Sequence, residues 1–162
     1  MSEGARQGLA AYLNGPLREQ LRTELPDNLP AALTFVFGHT HKPFQEEMNF
    51  PGYPVGVEVY NTGGWVVETV APQPLHGGSV VLIDEDLNAV SLRMYNENGA
   101  PAGPAISLQE ARHPGDAVNP FYLHLSSLIS RRAEAWREFS ATAARAVRLR
   151  ARNLRARIGE KA

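Results

Sequence analysis

The hydrophobic pattern along this chain runs from helix to strand and back to helix. Leu9, Tyr12, Leu13, Leu17, Leu21 and Leu25 recur at helical spacing, which predicts a helix over residues 4–25 with a break at Gly15-Pro16. The loop Pro26-Asp27-Asn28-Leu29-Pro30 follows. Leu33 to Phe37 is then a short apolar run, read as a strand inside a sheet covered on both faces. Residues 42–54 hold Pro43, Pro51, Gly52 and Pro54 and read as a loop. Val55, Val57 and Val59 alternate, predicting a strand from Val55 to Tyr60 that ends in Asn61-Thr62-Gly63-Gly64 and resumes from Trp65 to Val70. Ser79–Ile83 and Ala89–Tyr95 predict a hairpin around Asp84-Glu85-Asp86-Leu87-Asn88. Residues 99–120, rich in Gly and Pro, read as a linker.

From Phe121 the pattern is one long helix, with no Pro or Gly until Gly159. Leu125, Trp136, Val147 and Ile158 are eleven apart, close to a whole number of turns. Leu128, Ile129, Phe139, Ala143 and Leu154 fill the same broad side, and arginines occupy much of the rest.

Charge sharpens this division. Residues 1–117 hold 14 acidic and 6 basic side chains, whereas residues 118–162 hold 3 acidic and 10 basic ones. The near-neutral total therefore hides an acidic body and a basic tail. At 162 residues the chain is long enough for one domain with a core. No cysteine is present, which removes disulfides, thiolate ligands and a cysteine nucleophile. Any metal must be held by His, Asp, Glu, Asn or water. No apolar run reaches membrane-spanning length, and Met1 to Gln7 leads into no signal-peptide core. The expected location is the cytoplasm, with peripheral attachment to a membrane open through the basic helix.

Candidate chemistry is concentrated at Gly38-His39-Thr40-His41-Lys42-Pro43, where the apolar run stops. Side chains two apart on an extended backbone point the same way, so both imidazoles are expected to reach one place. Neutral imidazole is the commonest side-chain ligand for divalent transition metals.

The Gly38-His39-Thr40-His41 tetrapeptide after a strand resembles the last metal-binding motif of the calcineurin-like metallophosphoesterases. Lys42-Pro43 fits bacterial members, and Asn61-Thr62-Gly63-Gly64-Trp65 is similar to a turn that the family has after its next strand. The hairpin from Ser79 to Tyr95 fits the closing strands, so the resemblance covers about residues 15–95. It implies a phosphoesterase with two divalent ions (Mn, Fe, Zn or Ni) about 3.5–4 Å apart, which polarise the phosphoryl group and activate a bridging water. By that resemblance His39 ligates one ion and His41 the other, Thr40 is a spacer facing away, and Gly38 lets the chain turn near the metals. Asn61 is expected to hold its own turn through an Asx bond, together with Gly63.

The chain departs from the family pattern at the earlier motifs. The family places an Asp-x-His, a bridging Asp, an Asn-His and a further His before this one. The 37 residues before Gly38 contain no histidine and only Asp27 as aspartate. The expectation is therefore an α/β (α+β) chain in three parts. Residues 1–98 form the C-terminal portion of a phosphoesterase β-sandwich flanked by helices, 99–120 a linker, and 121–158 a long basic amphipathic helix. Such a piece exposes the Leu33–Phe37 strand, tends to oligomerise, and binds metal weakly. The expected substrate is a phosphomonoester or phosphodiester.

Other readings stand beside these. His76 is a further ligand or, preferably, a loop histidine, and His113 and His124 are surface residues. Glu46, Glu47 and Glu58 are second-sphere acids or solvated positions, and Trp65 is core rather than a ligand platform. The basic helix packs on its own domain or a protein partner, lies on a membrane surface, or binds nucleic acid. The last is least favoured, because no aromatic residues interleave with the arginines. The rival class is a non-catalytic β-rich module attached to a membrane or partner through that helix.

Overall fold

The computed structural model describes residues 3–25, 30–66, 69–71, 73, 76–96 and 106–159. It is a mixed α/β structure with two three-stranded sheets and a long C-terminal helix. The first sheet holds β1 (Leu33–Phe37), β2 (Phe44–Met48) and β3 (Val57–Asn61) in the order β1-β3-β2. β1 runs parallel to β3 and β2 antiparallel to it. The second sheet holds β4 (Gly77–Ile83), β5 (Ala89–Asn96) and β6 (Ser107–Gln109), all antiparallel with β5 in the middle.

The N-terminal helix does not break at Gly15-Pro16. α1 (Glu3–Tyr12) and α2 (Arg18–Glu24) are joined through a π-helical turn, Leu13–Leu17, with helical dihedrals on both sides. The wider turn makes room for Pro16, whose ring would clash with the preceding turn of an α-helix. Leu13 points into the core from this turn with 0 % exposure, and its carbonyl accepts a 2.7 Å bond from the Tyr53 hydroxyl. Leu9, Ala10, Leu13 and Leu17 thereby meet Met48, Phe50, Val57 and Val59. Arg6 on α1 is paired with Glu46 on β2 at 2.9 Å.

β3 divides its side chains between two neighbours. Val57, Val59 and Asn61 share the face turned to α1, whereas Tyr60 points to the second sheet. The Tyr60 hydroxyl donates to the Ala89 carbonyl at 2.8 Å and accepts from the Ala111 N–H at 3.0 Å. Its burial pushes its pKa up, so this hydroxyl stays protonated. Arg93 on β5 adds bonds to the Pro43 carbonyl and to Gln45, at 2.9 and 3.2 Å. The sheets also meet directly in an antiparallel bridge between Gly63 and Gly78.

Several sequence expectations are corrected here. β1 is an edge strand rather than an interior one, and none of its five residues is buried. β2 occupies the middle of the segment read as loop, and β6 lies in the segment read as linker. Trp65, Val66, Thr69 and Val70 lie outside any strand, and residues 67 and 68 are not among those described. The single C-terminal helix is two: α3 (Pro120–Arg131) and α4 (Ala133–Gly159). The chain leaves the helical region at Arg132, with φ −117° and ψ 26°. α3 rests on β5 and β6, and α4 on β5. The Asp84–Asn88 hairpin forms as expected: Asp84 Oδ1 accepts from the Asp86 and Asn88 N–H groups, and Leu87 takes a positive φ of 64°. Hydrogen bonding by Asn88 holds the Asp84 carboxyl below its ordinary pKa.

Candidate functional site

The two histidines sit in a loop at the C-terminal end of β1. Its backbone is not extended: φ is 77° at His39 and 56° at His41. The alternation argument for their common direction therefore fails. Both nonetheless occupy one neighbourhood, with ring centres 6.2 Å apart and planes inclined at 64°. Two left-handed residues replace the pleat as the reason. Histidine is among the non-glycine residues that enter this region most readily. His39 is exposed and His41 half-buried.

Three ties hold the loop. The Asn61 Nδ2 donates to the Thr40 hydroxyl in a close contact. The His41 carbonyl accepts from the Gly77 N–H at 3.0 Å. The imidazole of His41 lies against Gly64, where a Cβ would fall 2.4 Å from Cδ2. Thr40 is thus an anchoring residue rather than a spacer, a role that no pattern in the sequence signals. Gly38 is closely approached too, by the Thr62 hydroxyl at 2.6 Å from where its Cβ would stand.

Asn61 is 1 % exposed, and its Oδ1 accepts from the Gly63 N–H at 2.8 Å, the Asx turn expected from the sequence. Gly63 needs to be glycine twice over. Its φ is 66°, and a Cβ would stand 2.3 Å from the Gly77 carbonyl oxygen. Thr62 and Gly64 complete the frame: Thr62 N–H donates to the Phe37 carbonyl at 2.8 Å, and Gly64 N–H to the Gly77 carbonyl at 2.9 Å.

The other candidates lie in structural roles. Glu46 pairs with Arg6, and Glu47 faces His113 at 3.8 Å. Glu58 is opposite Glu47 across the ladder, and burial raises its pKa, with Glu47 and Glu110 adding to the effect and the Thr34 hydroxyl opposing it. His76 is half-buried just before β4, its N–H bonded to the Gln73 carbonyl at 3.0 Å. Among the described residues no group of three or more His, Asp or Glu side chains could hold a metal ion. The two imidazoles lie near each other, and they do not amount to a site by themselves.

Beneath this loop, between α1 and the first sheet, lies a cavity of about 510 Å³. Its wall is aromatic: Tyr12, Phe35, Phe37 and Phe44 follow one another at ring-centre distances of 5.7–5.9 Å. Thr40, Lys42 and Asn61 form its polar end. No family model, no curated protein and no solved structure matches this chain.

On the far side of the Asn61–Trp65 turn, α4 crosses close to Trp65. The Trp65 and Phe139 rings meet edge to face at 6.5 Å, and Arg150 Nη1 donates to the Trp65 carbonyl at 2.7 Å. Trp136, Phe139, Ala143, Val147 and Leu154 are the half-covered side of α4, so much of its apolar stripe is turned to its own domain. Leu128 and Ile158, assigned to that stripe from spacing, are exposed. No helix among the described residues is long and apolar enough to cross a membrane.

Proposed function

We propose that this chain is the C-terminal part of a metal-dependent phosphoesterase, contributing His39 and His41 to a dinuclear centre completed by further polypeptide. The observation that carries this reading is the anchored histidine loop at the end of a parallel strand paired on one side only. Two imidazoles sharing one tetrahedral ion would have ring centres about 5 Å apart, from metal–nitrogen bonds of about 2.0–2.1 Å. The observed 6.2 Å suits one imidazole on each of two neighbouring ions.

The surroundings support incompleteness. A five-residue edge strand without charge, proline or bulge is a form that folded proteins avoid leaving open. A strand added parallel to β1 would end beside His39, where further carboxylate and imidazole ligands are needed. Protein interiors are close-packed, so an aromatic-walled space of about 510 Å³ under the same strand suits a core still lacking a layer.

The test is to extend the gene upstream of Met1 and assay the product on a chromogenic phosphodiester with and without manganese. Metal-dependent turnover that disappears in His39→Ala and His41→Ala is the expected result. No turnover from an extended, folded protein would end this reading in favour of a non-catalytic module.

A further inference from the structure

The arginines of α4 fall into two sets. At 3.6 residues per turn, Arg150 and Arg157 lie two turns apart on the flank that also carries Phe139 and Asn153. Arg145, Arg148, Arg152 and Arg155 lie on the opposite flank and are exposed. The first set borders a cleft of about 320 Å³, lined by Trp65, Val66, Arg150, Asn153, Leu154 and Arg157.

We propose that this cleft binds an organic phosphate carrying a planar base, of which a nucleoside monophosphate is the simplest member. Its size lies at the small end of ligand pockets. Its charge is positive: among the described residues neither Arg150 nor Arg157 has a carboxylate partner, and α4 has no acidic residue from Phe139 to Gly159. Arg150 is held by its bond to the Trp65 carbonyl, so its guanidinium is ordered before any ligand arrives. Arg157, two turns further on, offers the planar fork that matches a phosphate.

Trp65 supplies the other half. Gly78 lies against its indole, where a Cβ would come within 2.8–3.1 Å of Nε1, Cδ1 and Cε2. Phe139 fixes it from a second side, and yet the residue remains 43 % exposed. A ring braced in this way and still exposed suits stacking on a base. Asn153 adds an amide that both donates and accepts. The site lies next along the chain from Gly64, against which His41 rests. Resting on the phosphoesterase reading, the cleft is the subsite for a nucleotide portion of a phosphodiester substrate, whose scissile phosphoryl group lies outside the cleft.

Binding itself requires no metal, which separates the two proposals. Isothermal titration of the 162-residue chain in chelator-containing buffer would use AMP, adenosine and inorganic phosphate. AMP is expected to bind at one site, with adenosine and phosphate each weaker by about tenfold or more. Arg157→Gln and Trp65→Tyr should weaken AMP binding, the first by about tenfold, while Arg148→Gln on the other flank leaves it unchanged. Arg157 is exposed, so its loss should not affect folding. Absence of saturable AMP binding, equal affinity for inorganic phosphate, or an equal effect of Arg148→Gln would overturn the proposal. An extended protein without phosphoesterase activity would leave a positive titration standing, and a failed titration would leave the histidine loop standing.

Discussion

Asn61 links the two halves of the candidate site: its Nδ2 donates to the hydroxyl of Thr40, the residue between the histidines, while its Oδ1 accepts from Gly63. One buried amide thus sets both the histidine loop and the turn beneath His41. Asn61→Ala removes both bonds and leaves a buried N–H unsatisfied. The expected cost is about 2–3 kcal/mol in urea unfolding. In an active, extended protein this variant should also weaken metal binding, whereas Gly64→Ala should disturb the His41 ring signals in NMR with a smaller loss of stability. Unchanged stability in Asn61→Ala would refute the anchoring role.

The open edge of β1 predicts self-association. Val36 is 39 % exposed on this strand. Val36→Lys places a charge where edge pairing would occur. Sedimentation velocity should show a shift from oligomer towards monomer, with the unfolding free energy changed by no more than about 0.5 kcal/mol. A monomeric parent chain would contradict the expectation.

Tyr60 spans the gap between the sheets through a single hydroxyl. Tyr60→Phe keeps the ring and strands the buried Ala111 N–H, while the Ala89 carbonyl on the other side loses one of its donors. The loss should be about 1–3 kcal/mol, read from chemical denaturation. Because Asn119 Nδ2 also reaches the Ala89 carbonyl at 3.2 Å, Asn119→Ala should add to the effect rather than mask it.

Glu58 predicts a pH dependence. Its folded pKa is raised above the ordinary 4.5, mainly by burial. The folded state therefore holds this proton more tightly than the unfolded state does. Its contribution is most favourable below 4.5 and is lost as pH rises through the raised folded value. At neutral pH the ionised carboxylate faces Glu47, so Glu58→Gln should raise the melting temperature by about 1–3 °C. The two proteins should converge on acidification. A gain that persists unchanged to low pH would point to another cause.

Strand positions were legible where pattern and turn chemistry agree. β3 and β5 follow from alternating apolar residues, β4 from the apolar run Val80 to Ile83, and Asp84 to Asn88 names its own turn. Asn61-Thr62-Gly63-Gly64 likewise announces an Asx turn. β2 was hidden because Phe44-Gln45-Glu46-Glu47-Met48 carries adjacent glutamates; pairing with β3 and the Arg6 contact make it a strand. The break at Arg132 has no Gly or Pro to signal it. It arises where α3, seated on β6 and β5, gives way to α4, seated on β5 and beside Trp65. The apolar run of β1 pointed to an interior strand, because such a run reads the same whether its neighbours are present or not; only the missing earlier motifs pointed to the exposed edge that is found. The histidine pair was legible as chemistry but not as geometry. Spacing suggested a common direction through an extended backbone, and the chain achieves proximity through two left-handed residues instead. Arg150 stood out in no way from the arginines around it.

The histidine loop is tied to one sheet through Asn61 and to the other through Gly77, and these sheets are themselves joined at Gly63 and Gly78. The separation of the two imidazoles is therefore a property of how the sheets are stacked, not of the loop alone. Their arrangement is settled during folding, so a ligand meets two side chains whose backbone freedom is already spent. Substitutions far from the histidines, at the sheet–sheet contact, should consequently be felt as changes in affinity at their tips.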